Sequence, residues 1–265
     1  MLRNAEKYQI DPKSVAVQGD SAGGVIAAVI AQTISAEHER DPDKTPELKM
    51  LILMMPLLQG LDLNLPSHNT NGPLFSGVLT KLLVAKFWVW YMGLDGDELV
   101  TAILEGKHLS ADFQRSERFQ RLIGHDLLPD AFRTDVASHY RQQGGQVEQQ
   151  NFNKSDSDVI VDKLSPFFLD PRFSPLMEEN ISRHHPLTLI VTSGFDILRD
   201  DGVIYANRLR RAGVKVWWRH FEKGFHSCNA YWQGMLKVDV GHQILKETIE
   251  TVETYLHEPV DRIYS

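Results

Sequence analysis

The sequence predicts an α/β fold: a mostly parallel sheet flanked by helices, with a helical cap inserted between two of the strands. Short β-branched apolar runs alternate with helical stretches, the order that builds parallel sheets. Gly19-Asp20-Ser21-Ala22-Gly23-Gly24 forms a glycine-rich turn between one such run and the first long helix. Residues 60–164 read differently, with aromatic helical segments and a polar tract in place of apolar runs. A chain of 265 residues is long enough for one α/β domain with a sizeable core.

Taken in order, residues 1–13 read as the end of a helix that closes into a turn at Asp11-Pro12. Residues 14–18 (SVAVQ) form a short buried strand, and 19–24 the tight turn. Residues 25–40 make a helix whose first half is apolar nearly all round, which predicts burial against the sheet. A loop with two prolines and two aspartates spans 41–46. Residues 48–57 are a second buried strand, stopped near Pro56. Inside the cap, 81–92 is a helix carrying Phe87, Trp88, Trp90 and Tyr91, and 141–158 is a polar surface loop. These aromatics could line a pocket beneath the cap, but core packing is the safer reading for each one. Residues 165–177 are loop-like, with three prolines, and 187–193 (LTLIVTS) are the third strand. The helix over 201–212 starts where Asp200 and Asp201 oppose the dipole and stops at Gly213. A fourth strand at 214–221 and an amphipathic helix at 238–257 close the chain.

Composition excludes several function classes. Apolar residues make up 42% and charged residues 24%, with a net charge of −7. An acidic chain without a basic block is a poor nucleic-acid binder. The lone cysteine, Cys228, permits no intrachain disulfide and no CxxC site, and reads as a small apolar filler. No apolar run approaches the roughly 20 residues of a membrane span, and the first residues lack the apolar core of a signal peptide. No HExxH or clustered histidine spacing suggests a metal, and no cofactor motif is present.

Gly19-Asp20-Ser21-Ala22-Gly23 fits G-x-S-x-G and stands between a strand and a helix, the context the motif requires. A serine on so sharp a turn needs small neighbours, and Gly19, Ala22, Gly23 and Gly24 meet that demand. The turn lifts the Ser21 hydroxyl above the sheet, and the Ala22 N–H at the helix start can serve an oxyanion. The alternatives are an ordinary glycine-rich turn or a phosphate cradle. A P-loop would also need Gly-Lys-Ser/Thr, which is absent.

A serine nucleophile needs a base, and the base an orienting acid, in chain order Ser, Asp/Glu, His on this fold. Asp196 follows the third strand across Gly194-Phe195. His226 follows the fourth across Glu222-Lys223-Gly224-Phe225. Both lie past strand C-termini, where open α/β sheets place their sites. His184 and His185 precede a strand, at the wrong end of the sheet, and His220 lies within one. Structural or solvent-facing roles are expected for these three.

GDSAGG at 19–24, FDILRDDG at 195–202, GFH at 224–226 and DPRFSPLM at 170–177 together resemble arylacetamide deacetylase-like members of the hormone-sensitive-lipase branch of α/β-hydrolases. The resemblance runs in order over essentially the whole chain. It implies the α/β-hydrolase fold and carboxylester hydrolysis through an acyl-serine, on apolar or aromatic esters, amides or neutral lipids. It carries over Ser21, Asp196 and His226 as the triad and Ala22 as one oxyanion donor. Residues 60–164 would be the cap over an acyl pocket.

The family's His-Gly-Gly segment, whose N–H groups complete the oxyanion hole, lies further upstream of the serine than Met1. The resemblance also places strands before residues 14–18, so the expectation is an N-terminally truncated or partial product with a bare sheet edge. It further implies a full-length parent anchored in the endoplasmic reticulum membrane, with a lumenal domain and a disulfide. Ser193 stands where a cysteine would precede the acid motif. Two sequons, Asn153-Lys154-Ser155 and Asn180-Ile181-Ser182, agree with lumenal exposure. Two other readings stay open: a non-catalytic fragment without the oxyanion-hole segment, and a small-molecule-binding pseudo-hydrolase. The presence of His226 argues against a dedicated receptor.

Overall fold

The computed structural model describes residues 4–74, 79–133 and 154–257. Four parallel strands, β1 (Ala16–Asp20), β2 (Met50–Met54), β3 (Leu187–Phe195) and β4 (Val216–Phe225), lie side by side in that order. Gly19 faces Leu53, Leu53 faces Ile190, and Ile190 faces Trp218. All strand C-termini therefore share one edge. β1 stands at the side of this sheet.

β2 reads MLILM and is buried at every position because both faces of the sheet are covered. Its alternation divides the core. Leu51 and Leu53 join a cluster with Ile190, Val203 and Ile204 on one side. Met50, Ile52 and Met54 join Leu189, Val191, Ile244 and Tyr255 on the other. Helices α1 (Ala22–Arg40) and, after β3, α9 (Arg199–Arg211) cover the first face, and α10 (Asp239–His257) covers the second.

α1 starts at Ala22, earlier than the periodicity predicts, because the turn feeds directly into it. Its small residues Ala27, Ala28 and Ala31 are buried, but Ile26 and Ile30 are 59% and 38% exposed. The helix is thus buried on one face, not all round. The N-terminal segment forms two single 3₁₀ turns, Glu6–Tyr8 and Pro12–Ser14, instead of a helix end. Asp11 accepts from the Lys13 N–H and the Ser14 hydroxyl and so holds the second turn.

Between β2 and β3 the described chain is helical: α2 (Pro66–Leu74), α3 (Lys81–Tyr91), α4 (Asp97–Leu104), α5 (Ala111–Arg115), α6 (Glu117–Ile123), α7 (Asp130–Arg133) and α8 (Lys154–Phe168). α8 runs through Pro166 to Phe168 and a 3₁₀ turn spans Pro175–Met177, so only 169–174 of the expected loop at 165–177 lies outside helical turns. The expected polar loop at 141–158 lies outside the described residues up to 153, and its last residues open α8. Phe168 anchors an aromatic cluster, with ring centroids 5.2 Å from Trp88, 5.2 Å from Phe173 and 4.6 Å from His108. Gly60 lies so close to this ring that an added Cβ would collide with it.

Asp200 and Asp201 sit inside α9, which begins at Arg199, and do more than oppose its dipole. Both are fully buried. Asp201 accepts from the Leu58 N–H and the Gln59 amide, each at 3.0 Å. Asp200 accepts from the Ser67 N–H at 2.7 Å and from Arg199 at 2.8 Å. The two carboxylates therefore pin the 58–67 segment to the start of α9. Burial pushes the Asp201 carboxyl up to about 7, against the pull of its two donors. Its folded-state pKa lies above the unfolded value of 3.8, so its contribution to stability is complete below that pH and fades as pH rises through 7. Asp201→Ala would leave two buried donors unpaired and is expected to cost about 2–6 kcal/mol, at roughly 1–3 per orphaned group, seen as a lowered Tm.

Candidate active site

The turn after β1 places Ser21 in a conformation that few L-residues adopt, φ 54° and ψ −121°. Such strain costs about 1–3 kcal/mol and survives only where the surroundings over-determine it. Here the Ser21 N–H donates to the Met54 carbonyl at 3.0 Å, and its own carbonyl accepts from Gly24 at 2.9 Å and Leu57 at 3.1 Å. A Cβ on Gly19 would strike the Gly23 carbonyl, and one on Gly24 would come within 2.6 Å of the Pro56 Cβ. Gly23 differs: a Cβ there meets nothing, so packing around the turn does not require that glycine.

β3 and β4 run further than the sequence predicts. Phe195 pairs with Phe225 past a register shift after Ser193. Asp196 and His226 thus follow their strands directly instead of across loops. Gly194 permits this close pairing, since a Cβ there would collide with the Glu222 carbonyl.

The three predicted residues meet. His226 Nε2 lies 2.8 Å from Ser21 Oγ, and His226 Nδ1 lies 3.0 Å and 3.1 Å from the two Asp196 carboxylate oxygens. A carboxylate only accepts, so Nδ1 carries the proton and Nε2 presents its lone pair to the serine hydroxyl. Asp196 is 1% exposed and is held by the Leu198 N–H at 2.9 Å. Burial lowers the His226 pKa, but the hydrogen bond and charge of Asp196, with the charge of Asp20, outweigh it and hold the imidazole above 6.5. Ala22 opens α1, so its N–H is one of the four without an intrahelical acceptor, beside Ser21.

Sequence reasoning missed the supports around this row. Asp20 accepts from the Asn229 amide at 3.0 Å and the Ser227 hydroxyl at 3.4 Å, tying the turn before Ser21 to the turn after His226. Asn71 donates to the Gly194 and Asp196 carbonyls, both at 2.8 Å. Asp20 was legible as the residue beside the serine in GDSAG; Asn71 and Asn229 had no local signal. Cys228 is fully buried, as a filler should be, and burial pushes its thiol up.

Ser21 opens onto a cavity of about 330 Å³ lined by Ile26, Leu57, Leu79, Val84, Trp88 and Phe173 among others. Trp88 is core, but Phe87, Trp90 and Tyr91 are 49%, 58% and 77% exposed, against the expectation that each packs inside. Phe87 and Tyr91 line the cavity instead. Two wider open grooves are lined largely by charged residues and do not touch Ser21.

Two of the competing histidines, His185 and His220, sit away from Ser21 in the packing of β3 and β4. His185 is buried before β3, and burial lowers it to about 4. His220 bonds Thr192 from within β4 at 3.0 Å.

A family model described as alpha/beta hydrolase fold matches residues 1–160 and 137–230. Neutral cholesterol ester hydrolase 1 of Bos taurus is 36% identical over 239 residues, covering 89% of this chain and 53% of that protein. Arylacetamide deacetylase of Oryctolagus cuniculus is 36% identical over 227 residues, covering 85% and 52%. The chain spans about half the length of these relatives. Among solved structures, an esterase of Pyrobaculum calidifontis shares the fold at a TM-score of 0.53 and 18% identity, covering 96% of this chain and 56% of that one. An arylesterase does so at 0.51 and 20%, with the same coverage.

Proposed function

This chain belongs to the alpha/beta hydrolase fold family, and from that premise we propose that it is a serine carboxylester hydrolase. The observation that carries the reading is the unbroken hydrogen-bonded row from Asp196 through His226 to Ser21 at the mouth of an apolar cavity. His226 Nε2 takes the hydroxyl proton as Ser21 Oγ attacks the ester carbonyl carbon. The carbonyl π-electrons move to oxygen, and the Ala22 N–H donates to that oxyanion. Collapse expels the alcohol, which receives the proton from His226, and leaves an acyl-serine. Water, deprotonated by His226, then attacks the acyl carbon; the bond to Ser21 Oγ breaks, His226 returns the proton to Oγ, and the acid leaves. Asp196 fixes the imidazole tautomer and offsets its transient charge.

The apolar cavity suits the acyl or aryl part of apolar or aromatic esters, amides or neutral lipids. Residues 60–164 serve as the cap over it, a reading supported by Trp88 and Tyr91 of α3 lining its wall. No helix among the described residues is long and apolar enough to cross a membrane. We place the protein on the lumenal side of the endoplasmic reticulum membrane. Exposed Asn180 of the second sequon supports this, and a glycosidase-sensitive mass shift at Asn180 in a secretory host would test it.

Hydrolysis of p-nitrophenyl esters of graded acyl length, with an organophosphonate label mapped by mass spectrometry, tests the function. Turnover with the label on Ser21 is expected. Absence of both would favour the non-catalytic reading. The pH dependence has a fixed sign, because only neutral His226 can act as base. kcat/KM should rise with pH through a midpoint above 6.5, where the raised imidazole loses its proton.

A further inference from the structure

At the opposite end of the sheet from Ser21, His38 near the end of α1, Glu47 just before β2 and His184 just before β3 converge. One ligand atom from each lies within 4.8 Å of the others. His38 Nε2 is 3.2 Å, and His184 Nδ1 2.6 Å, from the same oxygen, Glu47 Oε1. The imidazoles stand edge to face with centroids 4.7 Å apart. Their side chains are 15% and 24% exposed and that of Glu47 49%, so the cluster is sheltered yet open to solvent on one side.

The hydrogen bonding around His38 leaves a gap that a cation fills. Its Nδ1 lies 2.7 Å from the Thr45 carbonyl, which can only accept, so the Nδ1 proton is committed there. A neutral His38 then turns the lone pair of Nε2 toward a carboxylate oxygen at 3.2 Å. Two acceptors at that distance need positive charge between them, either a second proton on the ring or a metal ion. A histidine whose far nitrogen is bonded to a backbone carbonyl has the orientation and tautomer of a metal ligand. The turn that presents His184 is also braced, its N–H donating to the Ser182 hydroxyl at 3.1 Å.

We propose that His38, Glu47 and His184 form a divalent transition-metal site, best suited to zinc, that clamps the end of α1 to the segments entering β2 and β3. Two imidazoles and one carboxylate are a donor set that zinc accepts, with water as fourth ligand on the open side. His184 adapts in one step. Without metal its Nε2 accepts from Arg183 at 3.1 Å, so Nδ1 holds the proton given to Glu47. With metal the proton resides on Nε2, Nδ1 coordinates, and the exposed Arg183 moves away. No bond to carbon changes and no redox step is involved. The ion lies at the N-terminal edge of the strands and takes no part in chemistry at Ser21.

The test is calorimetric titration of the chelator-stripped whole chain with Zn²⁺, together with the visible spectrum of its Co²⁺ form. One tight equivalent, the visible bands of four-coordinate Co²⁺ and a Zn²⁺-dependent rise in Tm are expected. His38→Ala and His184→Ala should each cost more than the roughly 10–100-fold lost with an outer-shell partner. Arg183→Ala should bind at least as tightly as the parent. His38→Gln and His184→Gln serve where an alanine variant fails to fold. Absence of stoichiometric binding, or binding undiminished by loss of both histidines, would overturn the proposal. A metal-free chain whose His38 ring is doubly protonated by NMR and that takes up no Zn²⁺ would assign the gap to a proton instead.

Discussion

Ser21→Ala is expected to lower kcat for ester hydrolysis by about 10⁴- to 10⁶-fold, the scale seen when a serine hydrolase loses its nucleophile. The fold should barely respond. Ser21 is only partly buried, its hydroxyl bonds only His226 among the described residues, and the backbone bonds that hold the turn do not involve the side chain. Alanine keeps the Cβ, and the positive φ with it. A circular dichroism melt within about 1 °C of the parent, with turnover at background, would isolate the chemistry from stability. Organophosphonate labelling should disappear with the rate. Retention of full activity would show that another nucleophile carries the reaction and that the row at Ser21 is structural.

What the sequence disclosed about this fold follows from which features are local. The turn at Gly19–Gly24 was legible because strained backbone demands particular residues at particular places, and Gly19 and Gly24 prove sterically obligatory. Parallel direction and the shared edge of Ser21, Asp196 and His226 followed from alternating elements. Strand ends were not legible. Residues 222–225 (EKGF) lack a run of β-branched residues, yet they extend β4, and Phe225 pairs with Phe195 where Gly194 lets the backbones meet. The same limit hid the roles of Asp200 and Asp201. Helix-start chemistry explains two acids near residue 200, but only the folded chain brings Leu58, Gln59 and Ser67 to them. The division of the α3 aromatics between core and cavity wall was not legible for a related reason. Periodicity marks an apolar helix but does not distinguish a core from the wall of a cavity, and Phe87 and Tyr91 belong to the wall.

Asp196→Asn carries the second large expected effect, a fall of about 10⁴-fold in kcat, as in a serine protease whose triad acid is changed to the amide. In the parent, one Asp196 oxygen accepts from the Leu198 N–H at 2.9 Å, and both face His226 Nδ1. Asparagine has one acceptor oxygen. If that oxygen stays with Leu198, the amide NH₂ turns to Nδ1 and selects the imidazole tautomer with its proton on Nε2. That proton then points at Ser21, and the base has no lone pair to offer. Because the bond to Asp196 and its charge are the main influences raising His226, the imidazole should also titrate lower in the variant. Kinetics and NMR titration thus make two separable demands: lower kcat with KM little changed, and a lower His226 midpoint. Asp196→Ala should differ by also reducing Tm, since the Leu198 N–H loses its buried acceptor. An Asp196→Asn variant within about tenfold of the parent rate would remove Asp196 from the mechanism and leave His226 oriented by other groups.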